Sequence, residues 1–447
     1  PGAEGRYPVN LFFSPEEENS RVALVGTPGL TLRVTPKYGS VRGSIVYRDI
    51  LYVVCADTLY SISTEWVATS RGTLSTTIGP VQVIGVSDYL SICDGTNFYY
   101  YDIAAGTTTT GDTATYITTQ DGYTLKTVEN SNLYLISALN NPTSWDDLDF
   151  GQTGGKDDFN RAIESVQRRV FIFSEQSREA VHNSGNADFP FERVQGSTQG
   201  HGIGSPASAT VMDESIYYLD NHRRIVRTAG MSYQVVSTPE VNNLFQGYSD
   251  VSDAIGNTIK WKGHSWYVLT LPTEDTTWVY DAYSNHFFQW VSGAGENQHR
   301  AMTLTHWESQ NKFIAGDYES GGVYTIEDSV FTDNGGTIIR ERIPPALIND
   351  RKVIRVNRLE VEFKAGTGIS SGQGSDPKAM LTFSLDDGRT WSNEIWRDIG
   401  KLGEFKDRAV WNRLGVGRFT WTPRVRISDP VEVVMYSASV EATGGVR

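Results

Sequence analysis

The chain has 447 residues, is 39% hydrophobic, contains two cysteines and carries a formal net charge of −14. That length allows two or three domains, and two cysteines exclude a disulfide framework. No stretch approaches about 18 apolar residues and none resembles a signal peptide, so neither a membrane span nor secretion by the general route is expected. Residues 1–330 hold 21 Lys+Arg against 38 Asp+Glu (net −17), and residues 331–447 hold 18 against 15 (net +3). So acidic a chain does not wrap nucleic acid through its bulk surface.

Residues 1–36 read as an extended segment broken by Pro8, Pro15 and Pro28, and Pro1 in place of Met suggests a trimmed start. Arg21–Leu24 and Leu30–Val34 have strand character, and either would close a following β-structure by joining its last sheet. Pro15-Glu16-Glu17-Glu18 suits a short helical turn capped by Ser14.

Residues 37–345 are organised around a recurring hairpin. Its clearest copy is Ser44–Ser63, where Leu51–Cys55 is a run of strand formers, Ala56-Asp57-Thr58 a turn and Leu59–Ile62 a second strand. Similar runs open at Tyr89, Leu133, Val170, Ile216, Trp266 and Phe313, separated by 38, 44, 37, 46, 50 and 47 residues. One such hairpin cannot bury its own apolar face, but sheets arranged radially bury one another, so the spacing predicts a β-propeller of six or seven blades. One or two β-sandwiches carrying similar hairpins are the alternative. Cys55 and Cys93 fall at equivalent places in adjacent units, too far apart to bridge, and read as buried thiols.

Between these runs, Thr107–Thr119 reads as a rim hairpin, Asn141–Asp147 as an exposed turn, and Gly151–Ile163 as room for one short helix with Asp157, Asp158 and Arg161 exposed. Gly196–Thr210 contains GHGIGS but lacks the Gly-Lys-Ser/Thr ending of a phosphate loop. At 329–350 the hairpin spacing lapses and the charge balance changes sign, which places a boundary near 345. Residues 346–447 then read as a β-sandwich-like domain, with strands at Val353–Phe363, Ala379–Ser384, Phe419–Trp421, Val425–Ile427 and Val431–Ala442 and turns at Thr422-Pro423 and Asp429-Pro430.

Ser384, Asp386, Gly388, Thr390 and Trp391 match the Asp-box pattern of sialidase-like propellers. Its physics is local: Asp386 binds turn amides, Gly388 supplies a positive φ and Trp391 packs under the hairpin. It occurs once, so it reads as a fold staple. A glycosidase needs paired carboxylates across a cleft; Asp146 with Asp149, or Asp157 with Asp158, are the candidates, and surface turns account for both. The seven histidines show no HxH or HExxH spacing and no serine sits in a GxSxG elbow. The reading assigns no catalytic, cofactor or metal residue. Arg413, Arg418, Arg424 and Arg426 form a basic stretch, read either as solvated or paired strand arginines or as a subunit or partner interface.

In chain order, YPVNLFFSP with TPGLTLR, GHGIGSPASA, WVYDAYSNHFFQW, FSLDDGRTW, VWNRLG and VRISDPVEV resemble the tail-nozzle (tail-hub, packaged-DNA stabilisation) proteins of short-tailed bacteriophages. The likeness covers nearly the whole chain and rests on the order of its motifs. It departs from the family chiefly in its long Thr-rich and Asp-rich insertions. The resemblance implies a structural virion protein without chemistry, at the distal part of the tail, forming a homo-hexameric ring below the portal and adaptor proteins. It implies tail adaptor proteins, a needle or plug, and tailspikes or fibres as partners, with double-stranded DNA passing through the lumen without sequence-specific binding. The alternative is a glycan-binding or glycan-cleaving propeller.

Overall fold

A computed structural model describes residues 6–15, 22–293, 297–349, 352–404 and 408–444. Contacts divide the chain into two units. One comprises Leu32–Asp275 with Arg300–Thr325, and the other Pro1–Thr31, Thr276–His299 and Ile326–Arg447.

The first unit is built from antiparallel sheets laid down in chain order. Val41–Tyr47, Ile50–Cys55, Thr58–Ile62 and Ala68–Thr73 form the first, each strand paired to the next. Four more four-stranded sheets follow, opening at Gln82–Val86, Tyr116–Gln120, Asn160–Val166 and Thr210–Met212. The hairpins Ile255–Trp261/His264–Leu271 and Ala301–Trp307/Lys312–Asp317 complete the series. The first strand of each sheet is innermost. These seven inner strands touch in sequence, and the seventh, Ala301–Trp307, touches the first, Val41–Tyr47. The ring is therefore closed and seven-bladed, which settles the alternative between six and seven.

All seven runs singled out in the sequence are strands, mostly buried. Six are second strands of their sheets. Leu133–Ala138 is a third strand, and the true equivalent is Tyr123–Thr127. The latter reads YTLKT, too polar for the apolar template, because Lys126 is buried under the Trp145 ring with its ammonium 4.4 Å from the ring centre.

Neighbouring sheets meet through apolar seams. Val41, Leu51, Val53 and Cys55 pack with Trp307, Ile314 and Val323 where the last blade meets the first. Tyr217 stacks on Tyr267 (5.7 Å) and Trp261 meets Phe313 edge-on (5.6 Å) at later seams. At the taper the seams are tight: a Cβ on Gly43 would lie 2.3 Å from the Val81 carbonyl oxygen, and one on Gly256 2.2 Å from that of Ser208. Of the two N-terminal candidate strands, Gly29–Val34 is ordered next to Val323–Glu327, and Arg33 Nε donates to Thr325 Oγ1 at 2.8 Å.

The second unit holds two sheets around one core. Leu11–Pro15, Val22–Gly26, Val434–Gly444, Ile354–Phe363 and Arg408–Asn412 form one; Arg340–Arg342, Thr420–Ile427, Lys378–Ser384 and Ile395–Asp398 form the other. Trp411, Trp421, Leu359, Val361 and Leu381 lie between them, fully or almost fully buried. The strand expected at Arg21–Leu24 thus belongs to this sandwich, where Leu24 faces Met435. Asn10, wholly buried, bridges two further segments of this unit. Its Nδ2 donates to the carbonyls of Val291 (3.1 Å) and Ile339 (2.9 Å), and its Oδ1 accepts from Val291 N.

Several local expectations are corrected. Asn141–Asp147 is not a turn but the start of a 12-residue outer strand, Asn141–Gln152. Gly151–Ile163 contains no helix; Asp158 is buried, accepting from Gln176 N (2.8 Å) and Ser177 Oγ (3.0 Å), which fixes an irregular link into the strand Asn160–Val166. Thr107–Thr119 is an outer strand followed by the next blade's inner strand. Thr422-Pro423 lies inside the strand Thr420–Ile427, between the stretches that pair with Leu347–Ile348 and with Arg340–Arg342, so a proline is tolerated there. Ser14 and Pro15 are strand residues; Glu16–Glu18 lie outside the described residues.

Two outcomes are expected. Gly43→Ala should destabilise the protein by roughly 1–3 kcal/mol, the usual cost of overpacking a tight site; an unchanged denaturation midpoint would contradict the tight seam. Burial pushes the Cys93 thiol up to about 12 and also raises Cys55. Both should resist thiol reagents until the chain unfolds, and rapid native labelling of either would contradict that.

Candidate functional site: the propeller channel and the sandwich turn

Closure of the inner strands leaves an axial cavity of about 740 Å³ in the first unit, lined among others by Ser44, Gln82, Tyr116, Glu164, Ala209 and Asn257. Inner strands of adjacent blades share no ladder, so side chains bridge the seams. Gln82 Oε1 accepts from Ile117 N (2.8 Å). Asn257 Nδ2 donates to the Met302 carbonyl (2.9 Å) while its Oδ1 accepts from Leu304 N (3.1 Å). Ser44 and Thr305 hydroxyls lie 2.6 Å apart.

The charged groups here are largely committed to structure. Arg42 is almost fully buried and donates to the carbonyls of Ala56, Thr76, Ile78 and Gly79 at 2.6–2.8 Å. Arg161 pairs with Glu175. Asp94 Oδ1 accepts from Thr96 N (3.1 Å) and Asn97 N (2.8 Å), and its Oδ2 from Thr76 Oγ1 and Tyr99 OH, both at 2.8 Å. Burial alone would raise its pKa, but these bonds outweigh it and hold the carboxyl below the ordinary range. The same device recurs after other second strands: Asp220 accepts from His222 N and Arg224 N, and Asp317 from Glu319 N and Ser320 N. An aspartate one step after the buried run (Cys93-Asp94, Leu219-Asp220, Gly316-Asp317) is the sequence signal of this device in three of the blades.

Glu164 is different. Tyr116 OH donates to its Oε1 at 3.3 Å, and burial pushes the carboxyl up to about 8. Among the described residues no group of three or more His, Cys, Asp or Glu is placed to hold a metal.

The Asp-box residues form a self-contained turn in the second unit. Ser384 Oγ donates to Asp386 Oδ1 (2.7 Å) and accepts from Gly388 N (2.8 Å); Asp386 also accepts from Thr390 N (2.8 Å) and Thr390 Oγ1 (2.6 Å). These bonds, led by that from the Thr390 hydroxyl, hold the Asp386 carboxyl down at about 2. Asp387 and Gly388 both have positive φ (58° and 85°). Trp391 is only half-buried, and the Arg424 guanidinium covers it at 4.2 Å. The buried aromatic of this sheet is Trp421, stacked on Phe383.

The four arginines do not form one patch. Arg424 Nε donates to Thr382 Oγ1 (2.9 Å), and Arg426 binds Glu341 Oε2 through Nε (2.9 Å) and Nη2 (2.6 Å), so both are tied to the sheet. Arg413 and Arg418 are exposed on the turns before it. The carboxylates Asp146 and Asp149 lie on one outer strand, whereas Asp157 and the buried Asp158 lie in the link that follows. Neither pair lines the cavity.

Glu164 generates a pH prediction. Its folded pKa is raised above the unfolded value, so its contribution is fully present below about 4.5 and is lost as pH rises through about 8. Glu164→Gln keeps a neutral group and should flatten the fall in Tm over that window. An identical fall in both proteins would contradict the raised carboxyl facing the cavity.

Family models match both parts of the chain: "Bacteriophage P22 Gp10, beta-propeller" over residues 4–331, and "Bacteriophage P22 Gp10, beta-sandwich" over residues 339–443. No curated protein matches the chain. Among solved structures it is similar to virginiamycin B lyase from Staphylococcus aureus (11% identity, 66% of this chain, 97% of that one, TM-score 0.45). It is also similar to U3-55K (9%, 67%, 99%, 0.43) and to the extracellular domain of the putative hybrid two-component system BT4673 from B. thetaiotaomicron (9%, 89%, 58%, 0.45). Likeness at that level carries no functional weight. The two family matches, taken with the closed propeller and the sandwich, place the chain in the bacteriophage P22 Gp10 family, the tail-nozzle or tail-hub proteins, and so among phage tail structural proteins.

Proposed function

We propose that this chain forms a homo-hexameric ring at the distal part of the tail, below the portal and adaptor proteins, that retains packaged DNA and conducts it during ejection. The propeller body is centred on residues 37–345 and the sandwich on 346–447, with residues 1–36 shared: Gly29–Val34 joins the propeller's last sheet, whereas Leu11–Pro15 and Val22–Gly26, like Arg340–Arg342, are sandwich strands. The adaptor would sit above the ring, a needle or plug would seal it, and tailspikes or fibres would hold its outer surface.

The observation that carries this reading is the net −17 of residues 1–330 in a chain of this family. A wall that must release DNA quickly cannot grip it, and each wall Lys or Arg adds phosphate attraction through counterion release. An acidic wall keeps the duplex centred, and screening confines the repulsion to about 8–10 Å. We read the propeller axis as part of the fold and not as the conduit: its seven inner strands touch one another around a cavity of about 740 Å³, and side chains such as Ser44 and Thr305 bridge them. The DNA path then lies between copies, which is what a ring supplies. The Asp-box favours no glycan reading, since its groups are consumed by their own turn.

The test is a reconstruction of the assembled particle with its surface potential. The expected result is six copies around a net-negative lumen; a lumen lined mainly by Lys and Arg, or no ring of this chain, would overturn the reading.

A further inference from the structure

Two surfaces of the chain are apolar, exposed and opposite in charge. The first is one end of the sandwich. Ile348 and Phe419 are each 58% exposed, with Leu385 and Val416 exposed beside them. They are contiguous: Ile348 faces Thr420 in register, Thr420 Oγ1 donates to the Leu385 carbonyl (3.5 Å), and Leu385 Cδ2 lies 3.5 Å from the Cβ position of Gly417. Arg355, opposite Val416, is exposed there, as are Arg389, Arg413 and Arg418. Among the described residues none of these four arginines holds an ion pair, unlike Arg408 and Arg426 of the same unit. The carboxylate of Asp386 in that turn is used internally, and only Asp387 adds an exposed negative charge.

The second is the outer strand Asn141–Gln152 of the third blade. One edge pairs with Leu133–Ala138, and the sheet order gives the other edge no strand partner. Leu148 is 81% exposed and Phe150 is exposed beside it, among Asp146, Asp147 and Asp149. Between Trp145 and Phe150 the strand bulges away from its neighbour, since Ser137 pairs with Trp145 and Leu135 with Phe150, and Leu148 N donates to Asp146 Oδ1; the bulge presents Leu148 together with the three aspartates.

We propose that these surfaces are the two halves of one contact between successive copies, with the arginine-ringed sandwich end of one seated on the acidic outer strand of the next. Exposed phenylalanine among clustered arginines is an interface composition. Exposed Leu and Phe have no match on a phosphate backbone, and the acidic strand repels one, so a protein occupant is favoured over DNA. One chain carries both complementary halves at different places, so the contact is heterologous, and heterologous contacts that close make rings. The inference rests on the ring reading above and adds the surfaces that build it.

The experiment uses assembled particles in which the chain carries both Leu148→Cys and Phe419→Cys. A short bifunctional thiol reagent is added; the native thiols are buried. The expected result is a ladder of covalent multimers of this chain, with each single-cysteine variant remaining monomeric. Arg413→Glu with Arg418→Glu should cut ring formation at least tenfold, and adding Asp146→Lys and Asp147→Lys should restore it. Rings seen by imaging without a ladder would overturn the proposed surfaces while leaving the ring reading intact. Cross-linking to a chain of different mass, or the reversed arginines weakening duplex binding with the ladder unchanged, would also overturn the proposed contact. Absence of any ring in wild-type particles would overturn both readings.

Discussion

The structure depends on one constraint: a four-stranded antiparallel sheet of this kind has two apolar faces and can bury neither alone. Radial packing solves this, and the solution is complete only if the last sheet reaches the first. Here it does, through Trp307, Ile314 and Val323 against Val41, Leu51 and Cys55. The taper toward the axis brings backbones so close that Gly43 and Gly256 have no room for a Cβ. The narrow channel follows from the same packing, and its polar side chains bridge seams that no ladder crosses.

A minor part of the acidity of the propeller is explained by packing. Asp94, Asp220 and Asp317 are nearly buried and satisfied by the amides of the turns they end. Such carboxylates serve the fold, so the field that acts on a polyanion comes from the exposed ones, among them Asp146 and Asp147 on the third blade. Both classes arise from one architecture. Many short strands need many turns, and turns favour aspartate. Glu164 is one strongly raised carboxyl facing the channel, and its partner is the phenol of Tyr116, not a second acid.

The repeat was legible because second strands are buried on both faces and read as continuous apolar runs such as LYVVC and WYVLT. The third blade hid its second strand because Thr124 and Lys126 are buried polar residues, partnered by the Ser91 hydroxyl and the Trp145 ring, and no single-residue preference encodes that. Asn141–Gln152 looked like a turn because Asn-Pro and Asp-Asp are turn formers; pairing with Leu133–Ala138 overrides that preference. In the sandwich, the Asp-box turn was readable from spacing alone, since all its bonds fall within a few residues. The separation of Arg424 and Arg426 from Arg413 and Arg418 was not, because it depends on Glu341 and Thr382, distant in sequence.

The central claim is that the propeller axis is a narrow cavity of the fold and, in the proposed ring, not the DNA path. Filling the axis tests this directly. Ala207 lines the cavity, and Ala207→Trp would occupy it without touching the outer surface. DNA ejection would then be measured from particles that assemble the variant with unchanged thermal stability. The account predicts ejection at the wild-type rate, and loss of ejection from such intact particles would contradict it.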